Sequence, residues 1–90
     1  MIPDVIDIEI LPDHRIKVKL SNGRKGVFDV KPYLDRGIFK ELKDYSYFKR
    51  ARVEFGTITW PNEQDFSPET IEVKMEELEA APPGKGLSKT

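Results

Sequence analysis

From Val5 to Leu20 apolar and polar residues alternate. Ile6, Ile8 and Ile10 share one parity, with Asp7 and Glu9 between them. After Pro12-Asp13-His14 the alternation resumes, with Ile16, Val18 and Leu20 set among Arg15, Lys17 and Lys19. A period of two predicts two strands, each apolar on one face. A loop at 12–14 places Ile10 opposite Ile16, Ile8 opposite Val18 and Ile6 opposite Leu20. The same register sets Glu9 against Lys17 and Asp7 against Lys19, and such opposite-charge pairs add roughly 0.2–1 kcal/mol each. The next turn falls at Ser21-Asn22-Gly23. A two-residue Asn-Gly turn would send Phe28 and Val30 to solvent. A three-residue loop with Gly23 left-handed keeps Phe28 inward and opposite Ile16. Burying such a ring is worth roughly 1.5–3 kcal/mol, so the longer loop is expected, followed by a third strand over 25–30.

Beyond Pro32 the period changes. Leu34, Ile38 and Leu42 recur every fourth residue with Phe39 beside them, which predicts a short amphipathic helix over 34–43, weakened by Gly37. Asp44 or Ser46 caps a further turn carrying Tyr47 and Phe48. Residues 52–60 read as another hairpin about a type II′ Gly56-Thr57 turn. This register sets Phe55 opposite Ile58 and Val53 opposite Trp60, all on one face. A loop follows at 61–65. Ser67 as N-cap and Pro68 at the first helical position, with Ile71, Met75 and Leu78 in one stripe, predict a helix over 68–79. Val73 lies off that stripe, so a strand over 70–74 competes. Residues 81–90 read as a flexible tail. The expected architecture is a small two-layer α+β domain over residues 1–80. Its antiparallel sheet combines a β-meander and a hairpin, with short helices on one face.

Three segments carry a resemblance. They are the run Val27-Phe28-Asp29-Val30-Lys31-Pro32-Tyr33-Leu34-Asp35-Arg36-Gly37-Ile38-Phe39, the hairpin Val53-Glu54-Phe55-Gly56-Thr57-Ile58-Thr59-Trp60-Pro61-Asn62, and Asp65-Phe66-Ser67-Pro68-Glu69. In order and spacing, over roughly residues 4–72, the chain resembles domain-of-unknown-function family 2442. The resemblance implies a bacterial or archaeal cytoplasmic protein with a compact α+β fold, and no established activity. Some members of that family carry the domain ahead of a helix-turn-helix domain, and others stand beside another small protein gene. This chain has no room for a helix-turn-helix domain.

Composition narrows the chemistry. Ninety residues allow one domain. One Trp, three Tyr and five Phe argue against disorder throughout. The absence of cysteine excludes a disulfide framework, a thiolate metal site and a thiol nucleophile. No apolar run approaches the roughly 20 residues of a membrane helix, and MIPDVIDIEI lacks the basic start of a signal peptide. Fifteen Lys and Arg against 16 Asp and Glu give a net charge of −1, which disfavours nucleic-acid binding by backbone neutralisation. Glu69, Glu72, Glu76, Glu77 and Glu79 read as a solvated helix face rather than a protein-binding surface. Asn22-Gly23-Arg24-Lys25-Gly26 leads into a strand rather than a helix N-terminus, so it is not a phosphate loop.

Three candidate sites remain. His14, the single histidine, is expected exposed in its turn, without the partners a metal or proton-transfer role needs. Arg15, Lys17, Lys19 and Lys25 form a basic row that could contact nucleic acid. Asp7, Glu9 and Asp29 lie across from that row, so cross-strand neutralisation is the simpler account. Trp60, Asn62 and Asp65, with Tyr33, are candidates for a shallow binding pocket. The simpler account is structural, with the Trp60 corner closing the core and Asn62 and Asp65 tying the loop. No catalytic constellation, metal-ligand set or cofactor motif emerges, so no enzyme is expected. The leading expectation is a non-catalytic interaction module, regulatory or antitoxin-like, with a protein partner. A nucleic-acid-binding accessory protein and a small-molecule sensor are the alternatives. An open edge strand can self-pair, but the alternation does not encode which edge is open.

Overall fold

In the computed structural model, which describes residues 2–78, the alternating stretch forms β1 (Val5–Leu11), β2 (Arg15–Leu20) and β3 (Lys25–Asp29). The proposed tail at 81–90 lies outside the described residues. Ile8 pairs with Val18, Ile10 with Ile16, Glu9 with Lys17 and Asp7 with Lys19, as expected. Ile16 also pairs with Phe28, and Gly23 has φ +92°, so the three-residue loop forms. One pair is corrected. A bulge between Val5 and Asp7 puts Val5, not Ile6, opposite Leu20. Val5 is buried and Ile6 is 51% exposed. The extra residue turns the Val5 amide away from β2, where it donates to the Gly56 carbonyl at 2.9 Å.

That bond joins two sheets. The second sheet contains β4 (Arg52–Glu54), β5 (Thr57–Thr59) and β6 (Asp65–Phe66). The β4–β5 register differs from expectation. Val53 pairs with Ile58 and Glu54 with Thr57, so the turn residues are Phe55 and Gly56. Their φ angles are +53° and +75°, and two successive positive values define a type I′ turn, whose twist suits a hairpin. A Cβ on Gly56 would lie 2.6 Å from Asp4 Oδ1, so the docked position demands glycine. Phe55 is consequently 100% exposed rather than inward, while Ile58 and Trp60 are buried. The 61–65 loop is shorter than expected. Trp60 N–H donates to the Gln64 carbonyl at 3.0 Å, and Phe66 then pairs with Ile58.

The expected helix over 34–43 is replaced by a 3₁₀ turn at Lys31–Tyr33 and a 3₁₀ helix at Gly37–Lys43. Three residues per turn align Phe39 with Leu42 and rotate Ile38 away from both. Leu42 is accordingly buried and Ile38 is 61% exposed. The following turn, α1 (Tyr45–Phe48), is capped as expected by Asp44, whose carboxylate accepts from Ser46 N–H at 3.0 Å. Ser67 caps α2 (Pro68–Lys74) by accepting from Thr70 N–H at 3.3 Å.

Here the expected helix over 68–79 stops early, and the competing strand at 70–74 is replaced by helix. Met75 is extended at ψ 148°. Glu76 and Glu77 then form β7 (Glu76–Glu77) against Val27 and Gly26 of β3. Ile71 and Met75 are buried as the stripe requires, whereas Leu78 is exposed. Ending the helix lets the chain satisfy the free edge of β3, where Leu78 N–H donates to the Lys25 carbonyl at 2.8 Å.

The result is a small α+β domain with antiparallel sheets β1-β2-β3-β7 and β4-β5-β6. Ile16, Val18, Leu20 and Phe28 of the meander belong to one core with Leu42, Phe48, Ile58, Trp60, Phe66 and Ile71.

Candidate interaction surface

The Trp60 corner is built as a structural anchor. Trp60 is 2% exposed, and its indole N–H donates to the Phe48 carbonyl at 2.9 Å. Asn62 Nδ2 donates to both carboxylate oxygens of Glu41, at 2.9 and 2.8 Å. Three residues not singled out from the sequence complete this network. Gln64 is 1% exposed; it accepts from Tyr47 Oη at 2.7 Å and donates to the Ile38 carbonyl at 3.0 Å and Glu41 at 2.9 Å. Tyr47 Oη in turn accepts from Asn62 N–H at 2.8 Å. The Asn62 and Gln64 amides hold the Glu41 carboxyl below its usual range. Asp65 lies exposed on β6 opposite Thr59. Tyr33 sits elsewhere, 5.0 Å from Phe66 between ring centroids, beside a separate cleft of about 290 Å³ lined by Asp29, Pro32, Arg36 and Lys74.

His14 is half-buried, which corrects the expected exposed turn. Its ring lies 4.8 Å from that of Phe48 and 5.5 Å from that of Tyr45 between centroids, and Nε2 is buried without a hydrogen-bond partner. A positive φ of 55° turns the residue back over the α1 aromatics. Sequence spacing gave no signal of that contact, because Phe48 is distant in the chain.

The basic row lies on the outer face of the four-stranded sheet. Lys17 stands beside Glu9, Lys19 beside Asp7, and Arg15 beside Asp29. Only the Lys19–Lys25 pair places like charges opposite each other on this face. The cations therefore alternate with acids rather than forming a continuous track. Another cation, Arg24, clamps the C-terminal segment by ion pairs of 2.9 Å to Glu72 and 2.8 Å to Glu77.

Among the described residues the outer edge of β1 has no ladder partner. This strand has seven residues and one ladder partner, β2. Main-chain groups of successive strand residues point alternately to either side. Leu20 N–H donates toward β3, to the Arg24 carbonyl at 2.8 Å, so Lys17 and Lys19 direct theirs toward β1. Their partners Glu9 and Asp7 complete that ladder. Ile8 and Ile10 consequently present N–H and C=O groups outward. The start of the edge is fixed by the Val5–Gly56 bond, and the chain at the end of β1 is tied by Tyr45 Oη donating to the Leu11 carbonyl at 3.1 Å. Among the described residues no hydrogen bond reaches the Ile8 or Ile10 main chain on this side, although β4 packs close to β1.

The fold is thus a small antiparallel α+β domain in which, among the described residues, β1 pairs on one side only. The chain belongs to the family described as "protein of unknown function (DUF2442)", whose model matches residues 5–77. No curated protein and no solved structure matches the chain. Among the described residues, no helix is long and apolar enough to cross a membrane.

Proposed function

We propose that this chain is a non-catalytic interaction module, regulatory or antitoxin-like in role, which binds a protein partner through the open edge of β1. The observation that carries this reading is the main chain of Ile8 and Ile10, unpaired among the described residues on a seven-residue strand. An edge of this kind is a template for strand addition. The Trp60–Asn62 groups favour scaffolding over ligand binding, since their donors are already engaged. The family resemblance supports a bacterial, cytoplasmic setting. Nucleic-acid binding is the weaker reading, because acids interleave the basic row.

The test is affinity capture with the full chain, with and without nuclease, beside a variant carrying Ile8→Pro. Proline at an outward-facing edge position removes an outward donor and spares the ladder to β2. A stoichiometric protein that survives nuclease and is lost with the folded variant is the expected result. Recovery of nucleic acid alone, with steep salt dependence, would replace this reading by the nucleic-acid one.

A further inference from the structure

Resting on that reading, we infer that the partner segment is an extended strand with Lys or Arg at alternate positions and an apolar residue at one end, docked on Asp7–Ile10 beside Phe55 and Ile6. Charge selects the alternation. Asp7 and Glu9 are the outward side chains at the centre of β1, and they already face Lys19 and Lys17 on one side. On the free side they would sit in the closely spaced, non-hydrogen-bonded pairs of an antiparallel ladder, where Cα atoms approach to about 4.5 Å. Cations placed there repeat the pairing β2 already makes.

A second copy of this chain is disfavoured by the same geometry. Antiparallel self-pairing centred on Glu9 sets Glu9 against Glu9, and centring on Ile8 sets Asp7 against Glu9. Like charges directly opposite destabilise a ladder.

Phe55 supplies the apolar end. It is 100% exposed and occupies the first turn position at φ +53°, where an aromatic residue is unfavourable and asparagine is preferred. The fold gains no burial from this ring. Phe55 and Ile6 are each one residue from the 2.9 Å Val5–Gly56 bond, so both flank the start of the open edge. An exposed aromatic beside unpaired strand amides is a surface suited to anchoring an extended segment.

The probe is the synthetic peptide acetyl-Lys-Val-Lys-Val-Lys-Val-Phe-amide, with a twin carrying Glu for each Lys. Binding to the full chain is followed by amide chemical shifts and hydrogen exchange. The cationic peptide should shift and protect the Ile8 and Ile10 amides, and the acidic twin should not. Charge reversal at both acids (Asp7→Lys with Glu9→Lys) should weaken the cationic peptide by about tenfold or more and favour the twin, from two exposed charge pairs changing sign. Phe55→Asn should raise the melting temperature while weakening the peptide, a combination that a purely structural role for the ring cannot produce. Equal binding of the two peptides, or shifts confined to Lys19 and Lys25, would overturn the inference. Concentration-dependent protection of Ile8 and Ile10 without peptide would overturn it in favour of a second copy. A captured partner that still binds the charge-reversed chain would leave the interaction reading standing and refute the proposed partner chemistry.

Discussion

Replacing Gly26 with alanine tests how the C-terminal segment is held. Gly26 is buried at the β3–β7 pairing. A Cβ there would lie 2.6 Å from Met75 Sδ, 2.8 Å from Met75 Cγ and 3.0 Å from the Glu76 carbonyl oxygen. The Met75 side chain can swing aside only by leaving the core that it helps fill. The Glu76 carbonyl is part of the backbone and moves only if β7 moves. Overpacking of this kind typically costs about 1–3 kcal/mol. Reduced freedom of the unfolded chain returns about 0.4–1 kcal/mol, so a net loss of about 1–2 kcal/mol is expected. For a domain of this size that corresponds to a fall of roughly 5–15 °C in melting temperature, readable by circular dichroism. The Leu78 amide, which bonds the Lys25 carbonyl, should also exchange faster. Adding Met75→Ala should recover part of the loss beyond the sum of the single effects, since the two sites touch. A Gly26→Ala protein as stable as the parent, with Leu78 protection intact, would refute the account of β7 packing.

Trp60→Phe should destabilise by about 1 kcal/mol or more, because the Phe48 carbonyl loses its indole donor and keeps only the Ala51 N–H at 3.2 Å; a lower urea midpoint at unchanged slope is the expected signature. Acid should weaken the Trp60–Gln64 corner. Glu41 is held below its ordinary value of 4.5 by Asn62 and Gln64, so its stabilisation is present above that value and lost as pH falls through the lowered one. Melting temperatures from pH 7 downward should show this decline, and Glu41→Gln should reduce it; an unchanged acid limb would refute the coupling. At the bulge, Val5→Ala should cost about 2 kcal/mol through lost burial and a cavity, while Ile6→Ala should cost close to nothing. Equal losses would restore the unbulged register.

The meander was legible because two independent constraints agreed. Apolar parity and cross-strand charge selected one register from Asp7 to Lys19, and the observed pairs follow it over that span. The caps at Asp44 and Ser67 were legible for a similar reason, since a short polar side chain stood directly before an apolar turn. The errors lie where distant backbone intervened. The 34–43 segment has helical spacing, but a left-handed Gly37 starts a 3₁₀ run, and its period exchanges Ile38 for Phe39 on the inner face. The helix over 68–79 carried a valid stripe as far as Met75. What ended it was the unpaired edge of β3, which a local pattern does not display.

The candidate surface was hidden by the same kind of cause. Trp60 and Asn62 drew attention because their chemistry is visible in their names, yet their donors are consumed internally by Phe48 and Glu41. Gln64 and Tyr47, which organise that network, look ordinary in sequence. The open edge belongs to no residue type at all; it follows from the sheet order and from which parity of β1 faces β2. A single bond, Val5 N–H to the Gly56 carbonyl, ties the bulge that exposes Ile6 to the turn that exposes Phe55. That joint buries Val5 and Ile58 on one side while displaying Ile6 and Phe55 on the other. Buried and displayed side chains therefore lie next to each other in the same two segments. Asp7, Glu9 and Phe55 are exposed and can be substituted with little cost to the core, whereas Val5, Gly56 and Trp60 cannot.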